Sequence, residues 1–404
     1  MTPSSLVDTA NQYLHKLCIE ILNRCVGSQG NRQATDFFTK KMKAFGFITE
    51  CPEFECIDWT HGEAYLTVDG EPYPAFVSPY SLNCSVSAAL SSATTVEELE
   101  SLEAANNILL LHGEIAKEQL MPKNFTFYNP DHHKRIISLL ERKEPLAIIS
   151  ATSRNPELAG GIYPFPLIED GDFDIPSVYM TEDVGYDLAQ HVGEQVSLKF
   201  EAERVPATGC NVIARKGRHQ SQRIVIFAHI DAKIGTPGAL DNATGVIVLL
   251  LLAELLQDHT PSLTIELVAL NGEDYYSAPG EVHYLKSNPN QLQDVYLGIN
   301  LDGAGYLEGK TAYSLYDCPP ETAGKIHDSF PKHKGFIEGE QWYQSDHSLF
   351  IMNNRPALAI TSEQFTHLST YITHTAKDAP ELVDPSKLAD IAMALQKLVL
   401  QLDA

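Results

Sequence analysis

Basic residues are scarce in this chain. Its 404 residues include 29 Lys and Arg against 53 Asp and Glu, a formal charge of −24. So acidic a surface repels phosphate, which argues against a nucleic acid or an anionic membrane as partner. Cysteine is sparse as well. The seven residues, at positions 18, 25, 51, 56, 84, 210 and 318, are scattered, odd in number and never arranged as C-x-x-C. That excludes a complete disulfide framework, speaks against a four-cysteine zinc site and fits reduced thiols in the cytoplasm. Long apolar runs are missing too. The longest, Val246–Ala253, is broken by Glu254 and falls far short of the roughly 20 residues that span a bilayer. The opening MTPSSLVDTANQYLHKL has neither the basic nor the apolar stretch of a secretion signal, so a cytoplasmic location is expected.

What is present is ordinary globular material, 44% hydrophobic and 20% charged, with no repeat or low-complexity tract. At roughly 150 residues per domain, this length suggests two to three domains. Residues 1–50 read as helical. Ala34, Phe37, Phe38, Met42 and Phe45 recur at helical spacing, and Gly46 supplies a stop. From about 60 to 197 short apolar strands such as Ile108–Leu111 and Leu146–Ile149 alternate with Pro- and Gly-containing turns. One charged helix candidate there covers His132–Lys143, with His132 and His133 read as a solvated face. From about 205 strands and helices alternate regularly, which argues a mostly parallel sheet. Asp384 and Pro385 announce a last helix with the apolar stripe Leu388, Ile391, Ala392, Leu395, Leu398 and Val399. The expected architecture is α/β: a doubly wound, mixed, mostly parallel sheet flanked by helices, built from 1–60 and 198–404. Residues 61–197 are expected to form an inserted β-rich domain.

The chemistry gathers where strands end. RIVIFA runs into His229-Ile-Asp231, LTIELVAL into Asn271-Gly-Glu273-Asp274, and VYLGINL into Asp302. Between the first two lies GALDNATG with Asp241, and His374 follows near the end. In an open α/β sheet ligands sit outside the carboxyl ends of the strands, so a shared edge would bring these residues together. A strand-end Asp standing alone is most often a turn former or helix cap. A set of two imidazoles and three carboxylates has the makings of a metal site. One bridging Asp, with one His and one carboxylate for each ion, makes a charge-balanced pair of sites. Asp231, two residues beyond His229, points to the same side of a strand and can orient the imidazole. Glu273 and Asp274 can divide the labour of base and ligand.

The segments AHIDAKIGTPGALDNATGV, ALNGEDYYSAPGE, NLDGAG, SDHSLF and THTAKDAPELVDP, in that order, resemble the successive motifs of the family-twenty-eight zinc aminopeptidases. CVGSQGNRQATDFF is similar to that family's opening helix, so the likeness covers most of 15–50 and 205–404. LLLHGE, KEPLAIIS, LIEDGDFDIPSVYMT and VGYDLAQHVGEQVSLKF carry a weaker likeness to the protease-associated insertion of several branches. The resemblance implies a dizinc exopeptidase acting on the amino-terminal bond of peptides, with two zinc or other divalent ions. His229 and Asp302 would hold one ion, Asp274 and His374 the other, and Asp241 would bridge them. Glu273 would be the general base, Asp231 would orient His229, and Asp241–Asn242 would be a cis peptide.

Two departures stand out. The family usually has Glu-Glu where this chain has Glu273-Asp274, which shortens the ligand arm by one methylene. Leu240 stands where many relatives have Asp, at no cost in ligands. Asp346 and His347 are expected to support the site from behind, and Trp342 or Tyr343 to line the cleft. A glutaminyl-cyclase-like zinc acyltransferase, with a single ion on a related fold, is the alternative enzyme. A non-catalytic binding module is the third class, disfavoured by retention of every ligand type and of Glu273.

Overall fold

A computed structural model describes residues 3–154, 161–217, 222–290 and 292–404. The chain divides into two units. One comprises Met1–Cys56, Thr208–Leu368 and Ile372–Ala404, and the other Ile57–Ala207 with Ser369–Tyr371. The chain leaves the first along Glu53–His61 and returns along Ala202–Cys210, two strands paired as a ribbon.

The first unit is organised by strands whose Val-, Ile- and Leu-rich runs need cover on both faces. Arg223–His229 and Thr264–Leu270 are buried throughout, and Val295–Leu301 nearly so. The sheet order is Ile48–Glu50, Val212–Lys216, Thr264–Leu270, Arg223–His229, Val295–Leu301, Ala357–Ser362, Thr311–Tyr316, Phe336–Glu338. The four central strands run parallel, while the joints to Val212–Lys216 and Thr311–Tyr316 are antiparallel. The sheet is therefore mixed around a parallel centre. From Arg223–His229 the chain moves to one neighbour, then returns past it to Val295–Leu301 on the other side. That reversal opens a crevice at the carboxyl end of the His229 strand.

Helices cover both faces. Thr244–Leu255 is apolar all round and buried from Thr244 to Ala253, as a helix enclosed by other elements must be. It packs among Pro3–His15, Pro385–Asp403 and the His229 strand. On the opposite face Phe227 meets Tyr284 of the helix Pro279–Ser287 and Phe350 of Ser348–Met352, with ring centroids 4.9 and 4.8 Å apart. Two terminal helices start where their capping residues lie. Ser28 accepts from Asn31 N ahead of Gln29–Ala44, and Asp384 accepts from Ser386 N ahead of Pro385–Asp403. Among the described residues no helix is long and apolar enough to cross a membrane.

The second unit holds its own eight-stranded sheet: Glu71–Tyr73, Tyr65–Val68, Gln195–Phe200, Cys84–Ala93, Ile108–Leu111, Ala147–Thr152, Ser177–Thr181, Phe76–Val77. Four successive strands, from Cys84–Ala93 to Ser177–Thr181, are parallel, a regularity that the turn-rich sequence does not announce. The helix Asp131–Lys143 buries Ile136, Ile137, Leu139 and Leu140 in this unit's core. His133 corrects the expectation of a solvated face. It is buried, and its Nδ1 accepts from Met121 N at 3.1 Å, whereas His132 is exposed. Adjacent helical residues point about 100° apart, so a helix edge separates them.

Candidate metal centre

Five side chains named from the sequence converge at the crevice. His229 closes its strand, Asp302 directly follows Val295–Leu301, and Asp274 stands in the loop after Thr264–Leu270. Asp241 lies just ahead of the buried helix Thr244–Leu255, next to a cis peptide between Asp241 and Asn242. His374 stands in a loop with a positive φ of 62°, a conformation that a non-glycine residue keeps where its surroundings impose it. His229 Nε2 lies 3.0 Å from Asp241 Oδ1 and 3.8 Å from Asp302 Oδ1. His374 Nε2 lies 3.1 Å from Asp241 Oδ2 and 3.0 Å from Asp274 Oδ1. Each oxygen of Asp241 thus faces a different imidazole.

This donor set fits divalent cations. Both ring nitrogens of His229 and one oxygen of Asp274 are buried without a hydrogen-bond partner among the described residues, an expensive arrangement that a cation would relieve. Donor atoms of His229, Asp241 and Asp274 all lie within 4.8 Å of one another. The field of the cluster agrees. Burial disfavours a charged His229, yet Asp231, Asp241 and Asp302 override it and hold its pKa well above the usual value. Burial and the Asp274 and Asp241 carboxylates act likewise on His374. Asp241 is kept ionised against burial by the two imidazoles. A pocket that draws protons onto two buried histidines has room in its electrostatics for metal charge.

Asp231 does more than was expected of it. Its Oδ1 stands 3.6 Å from His229 Nδ1, beyond hydrogen-bond range. Its two oxygens accept instead from Gly272 N at 2.8 Å and Asp274 N at 3.1 Å. Asp231 therefore ties the loop bearing Glu273 and Asp274 to the end of the His229 strand. Glu273 is half-buried between them. Burial, with the Asp274, Asp302 and Asp346 carboxylates, raises its pKa well above the usual range, opposed by His229.

Several supporting residues escape sequence reasoning. Buried Arg24 donates to Ile230 O at 3.2 Å, Pro237 O at 2.9 Å and Gly238 O at 2.8 Å, clamping the loop ahead of Asp241. Gly238 has φ +57°, and a Cβ there would stand 2.7 Å from Asp241 O. Asp378 accepts from Leu240 N at 2.7 Å and Asp241 N at 3.0 Å. Burial, then the Asp241 charge, pushes its carboxyl up to about 7. Asn242 donates to Leu301 O at 2.7 Å and so fastens the Asp241 turn to the strand that ends at Asp302. Asp346 is fully buried near the ligands, and burial pushes it up to about 8. Glu281, also buried, is raised well above its usual value by burial and by Asp346. His347 is buried too, its ring 4.5 Å from that of Trp342, which lies 4.6 Å from Phe365. Phe365 in turn approaches the Cα of Gly303, beside Asp302. Tyr343 is exposed.

The match to known proteins runs through the same segment. Residues 211–399 match the model of Peptidase family M28. The chain carries an M28 peptidase domain. That match takes in every one of the five converging side chains and Glu273. Among curated relatives, a probable leucine aminopeptidase 2 of Aspergillus fumigatus is 22% identical over 354 residues, covering 83% of this chain and 67% of its own. Among solved structures, the aminopeptidase of Aneurinibacillus sp. strain AM-1 aligns at a TM-score of 0.74 and 19% identity, covering 98% of this chain and 93% of that one. The zinc aminopeptidase of Bacillus subtilis gives 0.74 at 17% identity, over 98% and 94%. At such identities the structural likeness concerns the fold, which the M28 domain and those proteins share over nearly their whole lengths.

A second cluster, Glu118 with His132 and His133, also brings its donor atoms within 4.8 Å. Its hydrogen bonds explain it without a metal. Because His133 Nδ1 accepts from Met121 N, the proton sits on Nε2, which donates to Glu118 Oε1 at 3.2 Å beside His132 Nε2 at 2.8 Å. A protonated ring nitrogen has no lone pair to offer.

Proposed function

We propose that the chain is a metal-dependent aminopeptidase that removes amino-terminal residues from peptides, with two zinc ions at the M28 site. His229 and Asp302 hold one ion, Asp274 and His374 the other, and Asp241 bridges them. The observation that carries this is the Asp241 carboxylate, whose two oxygens each face a different histidine. The leucine aminopeptidase relatives and the zinc aminopeptidase fold support the substrate class and the metal. The Met1–Cys56 and Thr208–Ala404 portion serves as the peptidase domain, and the insertion, expected at 61–197, as a protease-associated-like domain.

When bound, the ions would supply Lewis-acid polarisation of the scissile carbonyl and lower the pKa of water toward about 7. The chain's own groups do the rest. Glu273, half-buried beside Asp274, takes a proton from the attacking water and hands it to the departing amine, which is a poor leaving group until protonated. Asp231 fixes the backbone on either side of Glu273 through Gly272 N and Asp274 N. Arg24 and Asp378 fix the turn that presents Asp241.

Metal analysis and a panel of amino-acid and dipeptide chromogenic substrates, run on one preparation, test this. The expected result is close to two zinc ions per chain and release of amino-terminal residues. One ion per chain together with cyclisation of amino-terminal glutamine would select the acyltransferase class instead. Two ions with no hydrolysis across the panel would overturn the aminopeptidase.

A further inference from the structure

Two of the seven free cysteines, Cys51 and Cys210, hydrogen-bond each other. Cys51 follows the strand Ile48–Glu50, and Cys210 closes the strand Ala202–Cys210. The helix Gln29–Ala44 lays one face across them, with Asn31, Thr35 and Thr39 at four-residue spacing. Asn31 exchanges hydrogen bonds of 2.8 and 2.9 Å with Asn271, Thr35 bonds Cys210, and Thr39 Oγ1 stands 3.5 Å from Cys51 Sγ. Cys51 is exposed and Cys210 half-buried.

This is the layout of a reactive thiol with a second thiol in reach. Reactive cysteines are accessible, stabilised as thiolates by donors and cations, and often set beside a resolving cysteine. Cys51 meets each condition. The hydrogen bond from Cys210 outweighs burial and, with Thr39 and the Lys43 charge, brings it down to about 6 against the opposing charge of Asp36. Cys210 is pushed up by the same hydrogen bond and by burial, which suits a thiol that attacks second.

We propose that Cys51 and Cys210 form a redox-active dithiol, with Cys51 the attacking and Cys210 the resolving thiol, whose co-reactant is a low-molecular-weight disulfide. The Cys51 thiolate, its proton lost to solvent, attacks one sulfur of the small disulfide. That S–S bond breaks, and one small thiolate leaves. Cys210 then gives up its proton and attacks Cys51 Sγ, expelling the second small thiolate. The two cysteines lose two electrons and two protons, and the small disulfide leaves as two thiols. The new bond would close a covalent ring containing the whole second unit. It would also stand beside the active loop, since Cys210 O accepts from Asn271 Nδ2 at 3.0 Å, two residues ahead of Glu273.

The test is to expose the full, metal-loaded chain to oxidised glutathione at neutral pH, block free thiols, digest, and map disulfides by mass spectrometry. The expected product is a Cys51–Cys210 cross-link, reversed by reduced glutathione. Cys210→Ser should stop at a glutathione adduct on Cys51, and Cys51→Ser should leave Cys210 unmodified. Iodoacetamide should label Cys51 with a rate that rises with pH through about 6. At neutral pH that rate should exceed those of Cys25 and Cys56 by about tenfold. A wild-type map in which Cys51 and Cys210 stay free overturns the proposal. So do adducts spread evenly over the accessible cysteines without the cross-link, results that require no variant to fold.

Discussion

Both units set four parallel strands side by side, and they use the arrangement differently. In the second unit the parallel strands follow one another in a single direction across the sheet, from Cys84–Ala93 through Ile108–Leu111 and Ala147–Thr152 to Ser177–Thr181. In the first, the order turns back at Arg223–His229. Only a reversal parts the connecting loops and leaves a crevice at the strand ends. Thr94, His112, Ser153 and Glu182 follow the parallel strands of the second unit, and they do not form a metal-ligating group among the described residues. In the first unit the strand ends carry His229, Asp274 and Asp302, and Asp231, Asp378 and Arg24 hold the loops in place. A parallel edge therefore supplies a location. Convergence of charge there needs the switch point and a set of buried ties.

The largest expected effect comes from removing what the first unit has and the second lacks. Asp241→Ala should abolish retention of both ions and turnover together, because each ion loses the shared carboxylate. His133→Ala, at the histidine cluster of the second unit, should leave the zinc content of the purified chain unchanged. Elemental analysis of both variants checks the contrast, and equal losses would erase it. Glu273→Gln should keep the metal and lose about 10²–10⁴ in kcat, read by parallel kinetics and metal analysis. Loss of metal from that variant would make Glu273 a ligand.

Asp378→Asn probes the ties themselves. An amide presents a donor as well as an acceptor where Leu240 N and Asp241 N both arrive as donors. Metal affinity should fall by roughly 10–100-fold, measured by competition with a chelator. The smallest effect on the site is expected from Leu140→Ala in the core of the second unit. It should cost about 2–5 kcal/mol in a denaturant titration while the metal-to-protein ratio stays as in the parent chain. A fall in that ratio would mean that the two units are not separable in this respect.

The ligands were legible because strand-end motifs state their own location: a hydrophobic run places a strand, and its last residue lies on the sheet edge. Helix ends were equally plain wherever Ser28, Asp384 or Pro385 acts through near neighbours in the chain. Arg24 was not legible, since its three carbonyl partners at 230, 237 and 238 lie more than 200 positions away. Asp378 and Glu281 sat inside quoted motifs, but nothing local distinguishes a buried carboxylate from a solvated one. The same holds for His133, whose burial beside exposed His132 depends on which way the helix is turned. The parallel strands of the second unit were hidden because their connections, rich in Pro and Gly, mask the alternation of strand and helix.

The paired strands Glu53–His61 and Ala202–Cys210 bear on how the chain folds. A flexible insertion as long as Ile57–Ala207 would have to be closed before Ile48–Glu50 could pair with Val212–Lys216. Against a tight turn, that closure would cost about 3 kcal/mol. A second unit that folds first delivers its two ends already side by side, and the closing segment then behaves as a hairpin. The edge of the peptidase sheet can then form at little more than the entropic cost of a short turn.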